Sequence, residues 1–322
     1  MSQKLKWGIM GTGMIAKKFA EELPKSHTGK LVATASRGEA TAERFADTFG
    51  GIGVRGYKEL LLNREVEAVY ISLPNHLHKE WAIASMEAGK HVLCEKPIGL
   101  DRLEAEDMFA ASEQTGQVLV EAFMYRCTPL AKKIIEIVRS GVLGDIKLVR
   151  SNFSFSREAS QEDARYHPDK GGGSIMDVGC YSMNLIRNAL GSEPTEINAT
   201  AHIHEYGVDD YAAGWLKFGP NTLATFTSGM TIESDMGTYF AGTKGRLSVD
   251  GPWFGENPIN LEIYGKDPEI IEMDPISGLY ALEADHFAAT VRGDQKAWIS
   301  KHDTIENMRT LDAIRRSAGV PV

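Results

Sequence analysis

The stretch Leu5-Lys6-Trp7-Gly8-Ile9-Met10-Gly11-Thr12-Gly13-Met14-Ile15-Ala16 decides how the first half of the chain is read. An apolar run, Trp7, Ile9 and Met10, ends in Gly-x-Gly-x-x-Ala, and a helical pattern from Ile15 to Leu23 follows at once. The expectation is strand, tight turn, helix. At such a turn Gly11 permits the bend, Gly13 lets the backbone approach a pyrophosphate without a Cβ in the way, and Ala16 allows the helix to pack closely on the strand. Thr12, Met14 and Ile15 complete a cradle whose helix N-terminus faces the anion. Glycines alone are weak evidence, because any sharp strand-to-helix turn uses them. The sequel adds to them. A second apolar run, Leu31 to Ala35, ends in Ser36-Arg37, where an NAD-binding strand carries an acidic residue for the ribose 2′-hydroxyl. A hydroxyl and a guanidinium suit a 2′-phosphate instead, so NADP is favoured, with NAD the alternative, and a plain surface arginine is the other reading of Arg37.

Composition sets the outer bounds. At 322 residues, with 43% hydrophobic and 25% charged side chains, the chain reads as a soluble globular protein of two domains. A net charge of -9 without a basic block argues against a nucleic-acid surface. Cys94, Cys127 and Cys180 show neither metal-ligand spacing nor a disulfide framework, which fits a reducing compartment, the cytoplasm by default. No apolar stretch reads as a signal peptide or a membrane span. His202 and His204 alternate on one strand face, but with no third ligand beside them no metal site is assigned.

Taken in order, Glu39 to Phe49 has apolar residues at helical spacing, and Tyr57 to Asn63 reads as a short helix. Ala68 to Ser72 is continuously apolar, as a parallel strand covered on both faces requires. It leads into Leu73-Pro74-Asn75-His76-Leu77-His78 and a helix from Lys79 to Ala88. Loops at the carboxyl ends of such strands line the ligand crevice, so Leu73, Pro74, Asn75 and His78 are candidate cofactor contacts; helix capping is the competing reading of Asn75 and His78. The strand His91 to Cys94 delivers Glu95-Lys96-Pro97, in which a cis Pro97 would aim the lysine into the crevice. The strand Gln117 to Ala122 delivers Glu121 to Arg126. Alternation of strand and helix to about residue 125 predicts a doubly wound parallel sheet. From Lys147 the pattern changes to adjacent strands: Lys147 to Phe155, Glu196 to His204, Ala212 to Phe218, Thr222 to Met230, Gly237 to Phe240 and Arg246 to Val249. These predict an open, mostly antiparallel sheet in an α+β second half, with helical patterns at Tyr280 to Val291 and His302 to Ala318 closing the chain.

Three places carry chemistry. Lys96 is fixed between a strand end and a proline, a solvated surface charge being its competing reading. Asp177 and Tyr181, in Gly171-Gly172-Gly173-Ser174-Ile175-Met176-Asp177-Val178-Gly179-Cys180-Tyr181, are four apart and share a helix face, although Ser174 and Asp177 also fit a capping box that would leave Tyr181 in the core. Arg126 is placed to fix a substrate oxygen or the cofactor, or to make a salt bridge at the domain boundary. Trp253-Phe254 and Tyr166-His167-Pro168 fit a pocket wall and a loop over the site, or ordinary packing.

Gly-x-Gly-x-x-Ala, Glu95-Lys96-Pro97, Glu121-Ala122-Phe123-Met124-Tyr125-Arg126 and Gly172 to Tyr181, in this order, resemble the glucose-fructose oxidoreductase and inositol dehydrogenase (Gfo/Idh/MocA) superfamily over nearly the whole chain. Tyr181, where many members carry histidine, is similar to the branch of dimeric dihydrodiol dehydrogenase and the NADP-dependent D-xylose dehydrogenases. The resemblance implies a Rossmann domain over residues 1–125 and a substrate-binding and dimerisation domain over 126–322, whose last helix packs back on the first. It implies catalysis by Lys96 and Tyr181 with Asp177 beside them, cofactor contacts that include Glu95, a homodimer or higher homo-oligomer formed through the C-terminal sheet, and NADP. A tyrosine titrates near ~10, and an adjacent ammonium favours its phenolate, so Lys96 would tune Tyr181 as general acid/base for hydride transfer between nicotinamide and a hydroxyl or carbonyl carbon of a sugar, cyclic polyol or dihydrodiol-like substrate. An NAD-dependent glycosidase and a non-catalytic dinucleotide-binding regulator are the alternatives.

Overall fold

The structure is a computed structural model that describes residues 4–322. In chain order its elements are β1 (Leu5–Met10), α1 (Met14–Glu22), β2 (Gly29–Ser36), α2 (Glu39–Phe49), β3 (Ile52–Arg55), α3 (Tyr57–Leu62), β4 (Ala68–Ile71), α4 (His78–Glu87), β5 (His91–Glu95), α5 (Arg102–Thr115), β6 (Leu119–Ala122), α6 (Pro129–Arg139), β7 (Ile146–Ser154), α7 (Cys180–Leu190), β8 (Glu196–Ile203), β9 (Asp209–Phe218), β10 (Thr222–Gly229), β11 (Thr238–Gly242), β12 (Gly245–Val249), β13 (Ile259–Ile263), β14 (Glu269–Ile271), α8 (Leu279–Val291) and α9 (Lys301–Ser317). They cluster into two compact units. The first runs to Gly99 and includes Leu103–Cys127 and Ser277–Thr304; the second holds Leu100–Arg102, Thr128–Ile276 and Ile305–Val322. Ser277–Thr304, which the sequence reading assigns to the second half, thus clusters with the first unit.

The first unit is built on a six-stranded sheet in the order β3-β2-β1-β4-β5-β6, every pair parallel. The order reverses between β1 and β4. Ligands of doubly wound sheets bind outside the carboxyl ends of the strands at such a switch point, which fixes where the crevice lies. One face of the sheet is covered by α1 and α8. Phe19 stacks on Tyr70 with centroids 4.0 Å apart, Trp7 lies edge-on to Phe19 at 5.3 Å, and Phe287 of α8 closes on Trp7 at 5.1 Å. Burying each such ring stabilises by roughly 1.5–3 kcal/mol. Glu22 Oε2 accepts the backbone N–H of Tyr280 at 2.7 Å and so ties the start of α8 to the end of α1.

The second unit is built on an eight-stranded sheet, β14-β13-β12-β11-β7-β10-β9-β8, antiparallel except for the β7–β10 pair. Strand alternation sorts its two faces. Val149 and Ser151 point with Ala224, Phe226, Thr238 and Phe240 into a buried layer that α7 covers, Ser151 Oγ meeting Ser182 Oγ of α7 at 3.2 Å. The opposite face carries Leu148, Tyr211, Trp215 and Leu223, all substantially exposed.

Candidate active site

At the end of β1 the chain turns at Gly11 with φ +106°, and a Cβ there would press against the Ser72 carbonyl and hydroxyl oxygens at 3.0 Å. Only glycine is comfortable in that position. Gly13 then precedes α1 without any side-chain cap, no acidic residue follows in the first turn, and a Cβ at Gly13 would meet no protein atom within 4 Å. The first amides of a helix have no intrahelical acceptor. Here they open onto free space at a glycine, which is what a pyrophosphate requires, so the residues fit the dinucleotide that the sequence implies. Met14 is exposed, Thr12 and Ile15 are half-buried, and Ala16 is buried against the sheet. Ser36 closes β2 and is largely buried, whereas Arg37 is exposed; its charge opposes the upward shift that burial imposes on the Tyr57 phenol.

Three strand ends are stitched together around Lys96. The Tyr70 hydroxyl of β4 donates to Glu95 Oε1, Glu95 Oε2 accepts the Lys96 amide at 3.3 Å, and Glu121 Oε1 of β6 accepts the Ile98 amide at 3.0 Å. The Lys96–Pro97 bond is cis and Lys96 is half-buried. His78 is fully buried, with Nδ1 3.0 Å from the Pro97 carbonyl and Nε2 2.8 Å from the Leu73 carbonyl. This corrects two readings of His78. It has no surface with which to touch a cofactor, and α4 starts without a side-chain cap; what the ring does is bind the loop after β4 to the loop after β5. Its pKa is pushed down to about 4, chiefly by burial. Pro74 and Asn75 are half-buried beside largely buried Leu73, and Asn75 opens a short 3₁₀ turn that likewise has no side-chain cap. Arg126 Nη1 pairs with Asp303 at 3.0 Å and its Nη2 donates to the Trp298 carbonyl at 3.2 Å. The sequence reading named Glu121 only as the start of a motif and did not single out Tyr70, because a tyrosine within an apolar strand carries no spacing signal.

In the second unit, the glycine run leads into a π-helical turn, Ile175–Gly179, that continues as α7. Such turns are rare and concentrate at functional sites. Asp209 anchors the start: its Oδ2 accepts the Ser174 hydroxyl at 2.9 Å and the Ile175 amide at 2.8 Å, and the Ser174 hydroxyl also meets that of Ser228 at 2.9 Å. The capping box is therefore not formed. Ser174 turns to Asp209, and Asp177 Oδ2 accepts instead from Arg165 Nε at 2.9 Å. Burial raises the Asp209 carboxyl to about 6. Tyr181, one residue into α7, is 5% exposed and lies edge-on to Phe153 at 5.2 Å and Trp253 at 5.5 Å; those two rings stack on each other at 5.4 Å, and half-exposed Phe254 flanks Phe153. Of the aromatic pair in the Pro/Gly loop, Trp253 thus packs against the Tyr181 ring and Phe254 against Phe153. Tyr166 is buried against Val208 and Met230. His202 Nδ1 lies 2.7 Å from Asp210, and no group of three metal-ligating side chains occurs among the described residues. Nor is any described helix long and apolar enough to cross a membrane.

Comparison with known proteins agrees with this geometry. The Gfo/Idh/MocA model described as "Oxidoreductase family, NAD-binding Rossmann fold" matches residues 5–123, and the Gfo/Idh/MocA C-terminal domain model matches residues 131–248. The chain is 35% identical over 317 residues to D-xylose 1-dehydrogenase (NADP(+)) 2 of Haloferax volcanii, covering 97% of both, and 32% identical to trans-1,2-dihydrobenzene-1,2-diol dehydrogenase of Mus musculus, covering 82% of this chain and 79% of that one. Its fold matches a 3-ketoreductase from Actinomadura kijaniata solved with NADP and TDP-benzene, with TM-score 0.90, 28% identity and 98% of each chain covered. On sequence, on both domain models and on fold, the chain belongs to the Gfo/Idh/MocA family of NAD(P)-dependent oxidoreductases, in the branch that includes the D-xylose and dihydrodiol dehydrogenases.

Proposed function

We propose that this protein oxidises a hydroxyl carbon of a sugar, cyclic polyol or dihydrodiol-like molecule, or reduces the corresponding carbonyl, with NADP as cofactor. The observation that carries the reading is the stitching of three strand ends around the Lys96 backbone, at the carboxyl edge of the sheet, where a doubly wound fold binds its ligand. When bound, the nicotinamide supplies the hydride acceptor or donor. Gly11 to Ile15 hold its pyrophosphate, and Ser36 with exposed Arg37 receive the 2′-phosphate. Leu73, Pro74, Asn75 and Glu95 line its path. Tyr181 takes the proton from the substrate oxygen during oxidation and returns it during reduction. Lys96 favours the phenolate, and Asp177 orients a substrate hydroxyl. The aromatic wall of Phe153 and Trp253 keeps water from the phenol. NADP binding by the xylose dehydrogenase and by the ketoreductase supports the choice of cofactor.

The test is steady-state kinetics over aldoses, polyols and diols with NADP and NAD. Tyr181→Phe is expected to lose about 10²- to 10⁴-fold in kcat with cofactor affinity nearly intact. Arg37→Ala is expected to weaken NADPH binding and to leave NADH binding unchanged. A Tyr181→Phe enzyme with normal turnover would remove the phenol from the mechanism. Three buried free thiols suit a reducing cytoplasm.

A further inference from the structure

The residues preceding the glycine run place a second charged group beside Asp177. Arg165 is fixed at both backbone and side chain. Its amide donates to Asp163 Oδ1 at 3.1 Å, and its carbonyl accepts the Gly173 amide at 2.9 Å. The next residue, Tyr166, is buried with Val208 and Met230, which pins the segment. The guanidinium has five N–H groups in a rigid fork. Nε–H goes to Asp177 Oδ2 at 2.9 Å, and Nη1 reaches both Asp163 oxygens at 3.2 Å. Nη2 has no partner among the described residues, and 29% of the side chain is exposed. Arg157 Nη1 also approaches Asp163 Oδ2, at 3.4 Å, and is itself half-exposed. The result is a pre-oriented donor whose positive charge is offset by two carboxylates. With Arg157 and Arg165 facing Asp163 and Asp177, the cluster has no net charge, so an incoming dianion gains no net attraction and meets two carboxylates that already hold the guanidiniums, while a hydroxyl needs only the remaining donor.

We propose that Arg165 is a specificity residue of this site: its Nη2 donates to a hydroxyl of a neutral polyhydroxylated substrate, and its pairing with Asp163 and Asp177 discriminates against the phosphorylated form of the same sugar. This rests on the reading that Asp177 and Tyr181 face the substrate. Pairing with Asp177 and Asp163 also holds the guanidinium firmly protonated, so it presents the same donors across the working pH range.

The experiment compares kcat/KM with NADP for D-xylose, D-glucose and D-glucose 6-phosphate in the wild type, Arg165→Lys, Asp163→Asn and Tyr181→Phe. Wild type is expected to prefer D-glucose over its phosphate by about 10²-fold, a few like-charge contacts' worth. Arg165→Lys keeps a cation for Asp177 and removes Nη2; it is expected to raise KM for the neutral sugar about tenfold, as loss of one charge-assisted hydrogen bond does, with KM for NADP and the melting temperature unchanged. Asp163→Asn leaves the guanidinium less compensated and is expected to narrow the preference about tenfold. An Arg165→Lys enzyme with wild-type KM for the sugar, or wild type that uses the phosphate as well as the free sugar, overturns the proposal. Loss of nothing in Tyr181→Phe overturns the underlying site reading instead, and so separates the two failures.

Discussion

His78 and Asp209 show what a single buried group does to the stability of the chain, and they act with opposite sign. A neutral imidazole donates from one nitrogen only, so one of the carbonyls of Leu73 and Pro97 faces a lone pair; the charged ring would satisfy both, yet burial prevails and lowers the pKa from 6.5 to about 4. Below pH 6.5 the unfolded chain takes up a proton that the folded chain refuses, so stability is lost as pH falls from 6.5 to about 4. Asp209 is a carboxyl raised from 3.8 to about 6, so its folded form holds a proton that the unfolded form has released. Its contribution is present below pH 3.8 and is lost as pH rises through 6. Each shift of between two and three units corresponds to about 3 kcal/mol. In urea titrations, the stability of His78→Asn relative to wild type is therefore expected to fall by about 3 kcal/mol between pH 4 and pH 7, and that of Asp209→Asn to rise by about as much. Parallel curves for wild type and either variant would show that the group does not titrate as assigned. Neither burial was readable from the sequence. A histidine after a strand-loop faces the crevice or the core according to one turn of α4, and the sequence places both outcomes at the same residue.

At the scale of elements, the start of the helix that carries Asp177 and Tyr181 depends on one glycine. Gly173 has φ +113°, and a Cβ there would collide with Asp209 Oδ1. Gly173→Ala thus adds backbone strain and displaces the carboxylate that holds Ser174 and the Ile175 amide. It is expected to cost about 2 kcal/mol or more, to lower the melting temperature by several degrees, and to reduce kcat while NADPH affinity stays near wild type, because the phosphate cradle is built by other elements. Unchanged kcat would mean that the π turn tolerates a shifted start. The long, strongly patterned elements were legible: α2 spans the residues that its apolar spacing marks, and β4 and β5 match their apolar runs. β3 was not read, since a four-residue edge strand with exposed ends carries neither a continuous apolar run nor strict alternation. Lys96, Asp177 and Tyr181, the residues proposed for catalysis, stand out in the sequence because glycines and a proline surround them. The groups that fix the neighbouring backbone, Tyr70, Glu121 and Asp209, and Arg165, which pairs with Asp177, come from distant sequence or from a loop without a pattern, and only the fold brings them into contact.

For the whole molecule, the eight-stranded sheet leaves a question of coverage. By register, Leu148 stands opposite Leu223, and Trp215 and Tyr211 lie on that same face of β9. Trp215 is 41% exposed and Leu223 50%. These large apolar side chains stand on one sheet face among Thr225, Arg150 and Lys217, and exposed apolar residues rimmed by polar ones mark surfaces that proteins use for association. The homodimer that the sequence resemblance implies is expected to use this face. A two-fold interface repeats every contact, so each substitution buries two unpaired charges, one from each chain. Trp215→Glu combined with Leu223→Glu is expected to shift the sedimenting species from a dimer or larger oligomer to a single chain, while the melting temperature falls by no more than loss of the interface accounts for. Wild type that sediments as a single chain at micromolar concentration would reject the assignment. Retained turnover in the dissociated variant would further show that each chain carries a complete site, and lost turnover that the partner helps to order it.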